Sequence, residues 1–327
     1  MGKIFSSVIA IILCFSVSLP AMAVERNVEK SFNVKRGGTL HLDSDLGSVD
    51  IKSHAQDTVQ VKVDLVAHTS SDSRANDIYD NFNLTFDNTD KDVIINGDIT
   101  ENWFWHNNRL SVHFDITVPE KYNLEVKTGG GNIGVSDIKG KVTLKTSGGS
   151  IRLGNIDGEL DARTSGGYVN VEDVTGNTVV KTSGGGIRIG RVKGNLEAIT
   201  SGGGIEVDGV DGDLIAHTSG GHLKLLNVSG GLVGDTSGGP IVAELTKQVT
   251  DRVELRTSGG GIQLSVPADF KADLDASTSG GHVYTDIPVT VHGHLSKSSI
   301  TGKINGGGPE VRLRSSGGGI RITQSTR

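Results

Sequence analysis

The sequence predicts an all-β protein, a single-stranded parallel β-helix in which each coil takes 18 residues. Three observations lead to this prediction. A Thr-Ser-Gly-Gly motif recurs at a fixed spacing, apolar residues alternate with polar ones around each copy, and 47 of the 327 residues are glycine whereas aromatic residues make up 4%. A chain that uses glycine and small aliphatic side chains instead of rings is suited to coils that stack closely on one another.

The chain begins with a predicted signal peptide, residues 1–23. An apolar run over residues 8–19 follows a basic start, and Ala21 and Ala23 form the small-x-small pattern that signal peptidase reads. The run is shorter than the about 20 residues that a membrane-spanning helix needs. We therefore expect cleavage between Ala23 and Val24. The mature chain is then exported, has no integral membrane segment, and is located in the periplasm, at the cell surface or outside the cell.

Residues 24–122 lack the motif and are predicted to form an N-terminal β-rich cap with degenerate coils. One short helix is expected to begin at Ser71 or Asp72, because a capping residue there precedes a weak apolar face formed by Ile78, Tyr79 and Phe82. Short runs of alternating apolar and polar residues predict strands at residues 32–34, 39–42, 49–51, 59–65, 84–86, 93–95 and 112–118.

Aromatic side chains concentrate in the second half of this region. Eight of them fall within residues 79–122, against three within residues 123–327. Because the open end of a solenoid exposes its core and its unpaired strand edges, we interpret the cluster first as a cap. The alternative is that Trp103, Phe104 and Trp105 form an exposed loop that contacts a sugar ring or a protein partner.

Residues 123–327 are predicted to form the repeat solenoid. Aliphatic residues recur two and four positions before the first residue of the motif and five positions after it, as expected for strands that face a common interior. We expect the threonine to point inward with its hydroxyl bonded along the axis, and the Gly-Gly pair to turn the corner through positive φ angles. The copies are spaced first by 18 residues, then twice by 21 and last by 37, and they begin at Thr128 (as Thr-Gly-Gly), Thr146, Thr164, Thr182, Thr200, Thr218, Thr236, Thr257, Thr278 and Ser315.

The C-terminal end breaks this pattern. Residues 299–303 and the glycines at 306–308 interrupt the register before the apolar alternation returns at residues 311–313 and 320–322. Because unpaired strand edges need cover, we expect these irregular residues, or a partner, to lie over the last coil.

Composition and motif chemistry argue against several classes of site. The net charge of −6 disfavours nucleic-acid binding, and the single cysteine, Cys14, lies in the predicted leader, which excludes a disulfide scaffold and cysteine-based metal centres. Calcium-binding nonapeptide repeats need an aspartate where this motif carries an aliphatic residue. His217 and His222 flank one corner and His292 and His294 share a strand face, and both pairs are interpreted as solvated. No cofactor and no metal site are predicted.

No catalytic residue is predicted either. Asp157 with Glu159, and Asp208 with Asp211 and Asp213, are the carboxylate groups that a polysaccharide-cleaving β-helix enzyme would need. They stand at turns beside glycine, where aspartate is common for conformational reasons. The chain is therefore expected not to be an enzyme, and polysaccharide cleavage is kept as the last alternative.

The leader, the Gly-Gly-Thr-Leu entry at residues 37–40, the Val-Pro pair at residues 118–119 and the repeated Thr-Ser-Gly-Gly-x-Ile-x-Val units resemble one bacterial family. Its members are envelope proteins known as putative adhesins, with a domain of unknown function built of β-strand repeats. The resemblance covers about residues 30–325 and implies a right-handed parallel β-helix at the cell envelope. It implies no catalytic residue and no particular ligand.

The leading functional prediction is an exported, non-catalytic β-solenoid that serves as an adhesin or as a binding or scaffold protein of the cell envelope. Its partner is expected to be an envelope component, a glycan or a protein, and not a nucleic acid. The first alternative is a structural or envelope-stress protein that self-associates end to end.

Overall fold

The computed structural model describes residues 23–100, 110–291 and 296–325. Within these residues the chain is nearly all β, as predicted, with one helix and 32 strands. It divides into two compact units, Met1–Ile138 and Lys139–Arg327. The expected boundary after residue 122 marks where the motif begins, and as a domain boundary it stays a prediction.

The first unit is built from parallel coils and antiparallel strands. Its helix is α1 (Asp72–Tyr79), and its strands are β1 (Val24–Asn33), β2 (Thr39–Ser44), β3 (Ser48–His54), β4 (Thr58–Ala67), β5 (Phe82–Asn88), β6 (Val93–Ile99), β7 (Leu110–Pro119), β8 (Asn123–Thr128), β9 (Ile133–Val135) and β10 (Ile138–Lys139).

The coils of this unit do not stack in chain order. One sheet runs β1-β4-β7-β3-β9 and the other β5-β6-β2-β8, so the coil β2–β3 lies between the coils β6–β7 and β8–β9. Among the strands of residues 24–122, the pairs β2–β3 and β6–β7 form coils, which is not the case for β1, β4 and β5. Those three strands are antiparallel to their neighbours, and they cover the edge that the coil β6–β7 would otherwise leave open.

The helix and the aromatic residues agree with the predicted cap. Helix α1 has Ser71 as its N-cap residue and buries Ile78 and Tyr79. The Tyr79 hydroxyl donates a 2.6 Å hydrogen bond to the carbonyl oxygen of Val24, which anchors the first strand. Phe114 and Tyr122 are among the largest fully buried side chains of the described chain.

The second unit consists of short strands separated by tight corners. They are β11 (Val142–Thr146), β12 (Ile151–Leu153), β13 (Ile156–Asp157), β14 (Leu160–Arg163), β15 (Val169–Val171), β16 (Val174–Thr175), β17 (Thr178–Lys181), β18 (Ile187–Lys193), β19 (Leu196–Ile199), β20 (Ile205–Val210), β21 (Leu214–Thr218), β22 (Leu223–Val228), β23 (Leu232–Thr236), β24 (Ile241–Leu245), β25 (Val253–Thr257), β26 (Ile262–Val266), β27 (Ala272–Thr278), β28 (Val283–Thr285), β29 (Val289–Val291), β30 (Ser299–Ile304), β31 (Glu310–Ser315) and β32 (Ile320–Gln324).

Equivalent residues of successive coils form continuous columns in this unit, as the fixed spacing predicts. Ile151 is the register partner of Val169, and Val169 is the partner of Ile187, all in parallel strands. All three side chains are at most 2% exposed. Their burial fills the interior, while the strand hydrogen bonds run between coils, so each coil depends on its neighbours for stability.

The C-terminal coil is inserted out of chain order. Strand β31 pairs with β25 on one side and β27 on the other, and β32 pairs with β26 and β28. The spacing of 37 residues therefore reflects an insertion and not two further coils at the end. Strand β30 lies antiparallel on β27, and β29 lies antiparallel on β30, so the irregular residues cover this edge as expected.

The motif threonines are buried and bond to the backbone. From Thr164 to Ser315, the hydroxyl at the first position of each motif copy donates to the carbonyl oxygen of the second glycine in an adjacent coil, over 2.6–2.8 Å. The hydroxyl of Thr218, for example, also accepts the N–H of Gly221 over 3.3 Å. The expected bonding along the axis is thus present, with carbonyl groups as the acceptors.

The Gly-Gly corners require glycine because the backbones of neighbouring coils approach closely there, and not because of positive φ angles. In the described chain none of the Gly-Gly pairs of the motif has a positive φ angle, whereas single glycines of another turn do, such as Gly158 (157°) and Gly176 (151°). The second glycine of each pair instead lies against the carbonyl group of the preceding corner. A Cβ atom built on Gly185 would be 2.2 Å from the oxygen of Gly167, so only glycine allows the corners to stack.

Candidate functional site

A gap interrupts a column of side chains on the outer surface of the second unit. The position directly after each Gly-Gly pair bears a side chain at Tyr168 and at His222, but the two intervening coils carry Gly186 and Gly204 there. We call this gap the notch, with the two glycines as its floor and the two rings as its walls. It has a volume of about 490 Å³.

The wall formed by Tyr168 is stacked on an arginine. The guanidinium carbon of Arg152 lies 5.0 Å from the centroid of the Tyr168 ring, within the range of a cation–π contact. Arg152 stands on β12 and Gly186 on the coil at the other side of Tyr168, because β15 pairs with β12 and with β18. Tyr168 lines the notch together with Gly186, and 38% of the residue is exposed.

The wall formed by His222 leans over the floor. A Cβ atom on Gly204 would be 2.6 Å from Cε1 of the His222 ring, so the imidazole occupies the space that a side chain at position 204 would take. Its Nε2 atom lies 3.3 Å from Oε1 of Glu206. The absence of a side chain at Gly204 thus allows His222 to close the notch on that side.

A second column borders the notch and supplies charge. Its members occupy register partner positions on β12, β15, β18, β20 and β22, and the guanidinium of Arg188 lies 2.7 Å from the carboxylate of Glu206. Arg152 has no carboxylate within ion-pair distance among the residues that the structure describes. The column carries three cations and one anion: Arg152, Asn170, Arg188, Glu206 and Lys224.

The first unit has a cavity of similar volume, and two of its lysines are already paired with carboxylates. Lys62 lies 3.1 Å from Asp64, and Lys52 lies 3.6 Å from Asp115. The side-chain hydrogen bond from Lys62 to Asp64 raises the pKa of Lys62. Side chains that satisfy one another on a flat sheet surface offer less to a ligand than the notch does, so the notch is the stronger candidate.

The predicted aromatic contact site lies outside the described residues. This holds for Trp103, Phe104 and Trp105, and also for Ala21 of the predicted cleavage site and for His292 and His294. Ala23 and Val24 are described, and Val24 is the first residue of β1.

Three of the five carboxylates considered for polysaccharide cleavage are bound to neighbouring groups. Glu159 lies 3.2 Å from the Lys141 ammonium, and a carboxylate oxygen of Asp213 accepts the N–H of Gly231 over 2.8 Å. The hydroxyl of Ser229, with the Lys247 ammonium, lowers the pKa of Asp211. A glycosidase acid needs a raised pKa, so Asp211 is unsuited to that role.

The notch was not among the predicted sites, although a signal for it is present in the sequence. Aligning the copies places Tyr, Gly, Gly and His in one column at residues 168, 186, 204 and 222. This signal becomes visible only when the coils are compared with one another, because two glycines in one column form a gap only when the coils stack in register. Of these residues the sequence singles out only His222 as a candidate, and it is interpreted there as solvated. In the structure His222 contacts Glu206.

Two further features of the described residues concern membrane-spanning helices and metal sites. Within residues 23–100, 110–291 and 296–325, no helix has the length and apolar character needed to cross a membrane. In the same residues no group of three or more His, Cys, Asp or Glu side chains is arranged to hold a metal ion.

Comparison with solved structures finds similar chains at low sequence identity. A putative adhesin from Parabacteroides merdae is 11% identical, with 92% of this chain and 96% of that chain covered and a TM-score of 0.40. A putative lipid binding protein from Parabacteroides distasonis is 13% identical, with 94% and 98% covered and a TM-score of 0.32. No curated protein matches the chain.

Comparison with protein families gives a match over most of the chain. The family described as Toastrack DUF4097 matches residues 39–323. This range takes in strands of both compact units and all of the motif copies. The chain belongs to the Toastrack DUF4097 family.

Proposed function

We propose that the chain is an exported, non-catalytic binding protein of the cell envelope, with an adhesin-like role. The observation that carries this proposal is the notch, a cavity of about 490 Å³ on the outer surface of an in-register parallel sheet. An aromatic wall, a glycine floor and a row of charged residues provide contact area, shape and orientation, which are the elements of a recognition site. The names of similar solved proteins, adhesin and lipid binding protein, are consistent with recognition.

The chemistry of the notch favours binding over catalysis. The Glu206 carboxylate is engaged by Arg188 at 2.7 Å and by His222 at 3.3 Å. A general base must be within hydrogen-bond reach of a proton on the substrate, and a group held by two neighbours has little freedom to take that position. These contacts instead fix the side chains around the cavity, which lowers the entropy lost when a ligand binds.

The start of β1 supports export. The strand begins at Val24, the residue that would follow the cut after Ala23. Removal of residues 1–23 therefore leaves β1 complete, together with the bond from Tyr79 to the carbonyl oxygen of Val24. The expected product has Val24 at its N-terminus, which mass spectrometry of the purified protein would show.

A matched variant makes the export test specific. Replacing Ala21 and Ala23 by leucine removes the small side chains that signal peptidase needs, so the protein should keep its leader and stay with the membrane fraction. Retention of the full leader by the unaltered chain in an exporting cell would contradict the proposal.

The binding role is tested by sedimentation of the exported protein with purified envelope fragments. We expect saturable binding that is competed by the unlabelled protein. Absence of binding at micromolar concentrations would overturn the proposed function. A parallel variant, with Trp103→Ala and Trp105→Ala, decides whether the aromatic segment takes part: reduced binding assigns it to the contact surface, and unchanged binding leaves the outer surface of the second unit as the contact.

A further inference from the structure

We infer that the notch binds one sugar ring of an acidic glycan, with the ring against Tyr168 and a carboxylate on the guanidinium of Arg188. This inference deepens the proposed function and depends on it. It arises from the size of the notch, the exposure of the Tyr168 ring and the excess of cations beside the floor.

The width of the notch suits a single ring. Neighbouring strands lie about 4.8 Å apart, so Tyr168 and the imidazole over Gly204 are separated by about two strand spacings, roughly 10 Å. A ring in van der Waals contact with both walls needs about 4 Å on each side. One saccharide ring therefore fits between the walls, and two stacked rings do not.

The walls match the electrostatics of a sugar. The face of an aromatic ring carries negative charge density, which attracts the weakly positive C–H groups on one face of a pyranose. The guanidinium of Arg152 stacks on the Tyr168 ring, so the ring is held in place before the ligand arrives. The edge of the sugar then meets the column that contains Asn170 and Arg188, where amide and guanidinium groups can bond its hydroxyls.

The positive charge beside the floor of the notch favours an acidic sugar. Arg188 stands two residues beyond Gly186 on β18, and its side chain is 67% exposed even though one of its nitrogens bonds Glu206. A guanidinium has five N–H donors, so Arg188 retains donors for a carboxylate from the ligand. Arg152 and Lys224 add positive charge on either side, whereas Glu206 is the single carboxylate of this column.

The experiment uses two oligosaccharides that differ only in charge. Titration calorimetry would compare a tetramer of galacturonic acid with its carboxyl-reduced form, on the exported chain at low salt. We expect the acidic tetramer to bind at least 10-fold more tightly, because a charge-assisted hydrogen bond contributes about that factor or more. Equal affinity for the two tetramers would overturn the assignment of an acidic ligand.

Three variants test whether the tetramer binds in the notch. Gly186→Tyr fills the floor and should abolish binding, and Tyr168→Ala should weaken it at least 10-fold. Tyr284→Ala is the matched control, because Tyr284 is also exposed and stacks on an arginine, Arg321 at 4.9 Å, but it stands away from the notch. Undiminished binding by both Gly186→Tyr and Tyr168→Ala, or an equal loss with Tyr284→Ala, would overturn the proposal.

The charge variant separates stacking from the carboxylate contact. Arg188→Gln should reduce the preference for the acidic tetramer to near unity while binding of the reduced tetramer changes less than threefold. Thermal unfolding of each variant shows that the solenoid is intact. If the chain sediments with envelope fragments but binds neither tetramer, this inference fails and the proposed function stands; if it binds neither envelope nor tetramer, both fail.

Discussion

Single hydroxyl groups hold neighbouring coils together at the corners. Thr218 is 5% exposed, donates to the oxygen of Gly203 over 2.7 Å and accepts the N–H of Gly221. Thr218→Val keeps the shape but leaves two backbone groups without a partner, so we expect a loss of about 1–3 kcal/mol in the free energy of unfolding. Urea denaturation would measure it.

The matched variant is Thr218→Ser, which keeps the hydroxyl and removes one methyl group at a cost of about 0.8 kcal/mol. Ser315 already occupies the same column and makes the same two bonds, to the oxygen of Gly260 and from the N–H of Gly318. A serine variant as unstable as the valine variant would show that the hydroxyl contributes little.

Close stacking of the corners can be tested at two adjacent glycines. A Cβ atom on Gly131 would be 1.9 Å from the carbonyl oxygen of Gly47, whereas one on Gly130 would meet nothing within 4 Å. Gly131→Ala should therefore destabilise the protein by about 1–3 kcal/mol or more, because backbone must move to make room. Gly130→Ala should be neutral or slightly stabilising. Similar melting temperatures for the two variants would refute this account of the motif.

A buried tyrosine makes stability sensitive to alkali. Burial, with a smaller contribution from Asp92, raises the pKa of Tyr122 far above its usual value, and the hydroxyl donates to the carbonyl oxygen of Lys91. The folded chain holds this proton more strongly than the unfolded chain, so the contribution of Tyr122 is complete below about pH 10 and is lost as the pH rises further.

The corresponding variant is Tyr122→Phe. It should be less stable at pH 7, because the bond to Lys91 is lost, yet its stability should decline less steeply above about pH 10. Burial also raises the pKa of Tyr79, so part of the decline should persist. Unfolding curves between pH 7 and 11 compare the slopes, and parallel slopes would contradict the assignment.

At the scale of elements, the position of the C-terminal coil can be verified by cross-linking. Arg314 on β31 is the register partner of Arg256 on β25 and also of Ser277 on β27. The pair Arg256→Cys and Arg314→Cys should form a disulfide on oxidation, since adjacent strands lie about 4.8 Å apart. The only cysteine of the sequence, Cys14, lies in the predicted leader.

The control pair is Arg256→Cys with Ser277→Cys. These residues are separated by β31, so their Cα atoms are about 10 Å apart, beyond the about 7 Å that a disulfide allows. Stacking in chain order would make them neighbours. Efficient cross-linking of this control pair would therefore disprove the insertion.

The same elements show what sequence reasoning can reach. The spacing of 18 residues predicts the columns, and the capping pattern at Ser71 predicts helix α1. The insertion could not be predicted, because every coil presents the same aliphatic column: Ile320 pairs as readily with Ile262 as with Val283. Local pattern specifies that coils stack, but when all interfaces are alike it does not specify which coil follows which.

At the scale of the molecule, end-to-end self-association is the first alternative from the sequence, and it stays a prediction. The outermost strand of the first unit, β1, bears charged residues at Glu25, Arg26, Glu29 and Lys30, and charge on an edge strand opposes pairing with another chain. We therefore expect a monomer at micromolar concentration by sedimentation equilibrium. Concentration-dependent growth of the mass would favour the self-associating alternative.

The solenoid class of the described chain was predictable, whereas the site proposed on its surface was not. Repetition amplifies any signal that every coil shares, such as the buried Ile and Thr columns. The proposed site lies where coils differ, at Tyr168, at His222 and at the glycines between them. Such differences between coils cannot be recognised as a site until the register is known. Composition did single out the aromatic segment Trp103 to Trp105, but that segment lies outside the described residues.

The late position of β31 and β32 in the chain has a consequence for synthesis and secretion. A polypeptide that crosses a membrane through a narrow pore emerges unfolded, N-terminus first. In the export that we propose, strands β27 and β28 reach the far side before the segment that separates them from β25 and β26. Coils added in chain order from one end cannot complete the array, so the strands after β26 acquire their native order only after residues 310–324 have emerged.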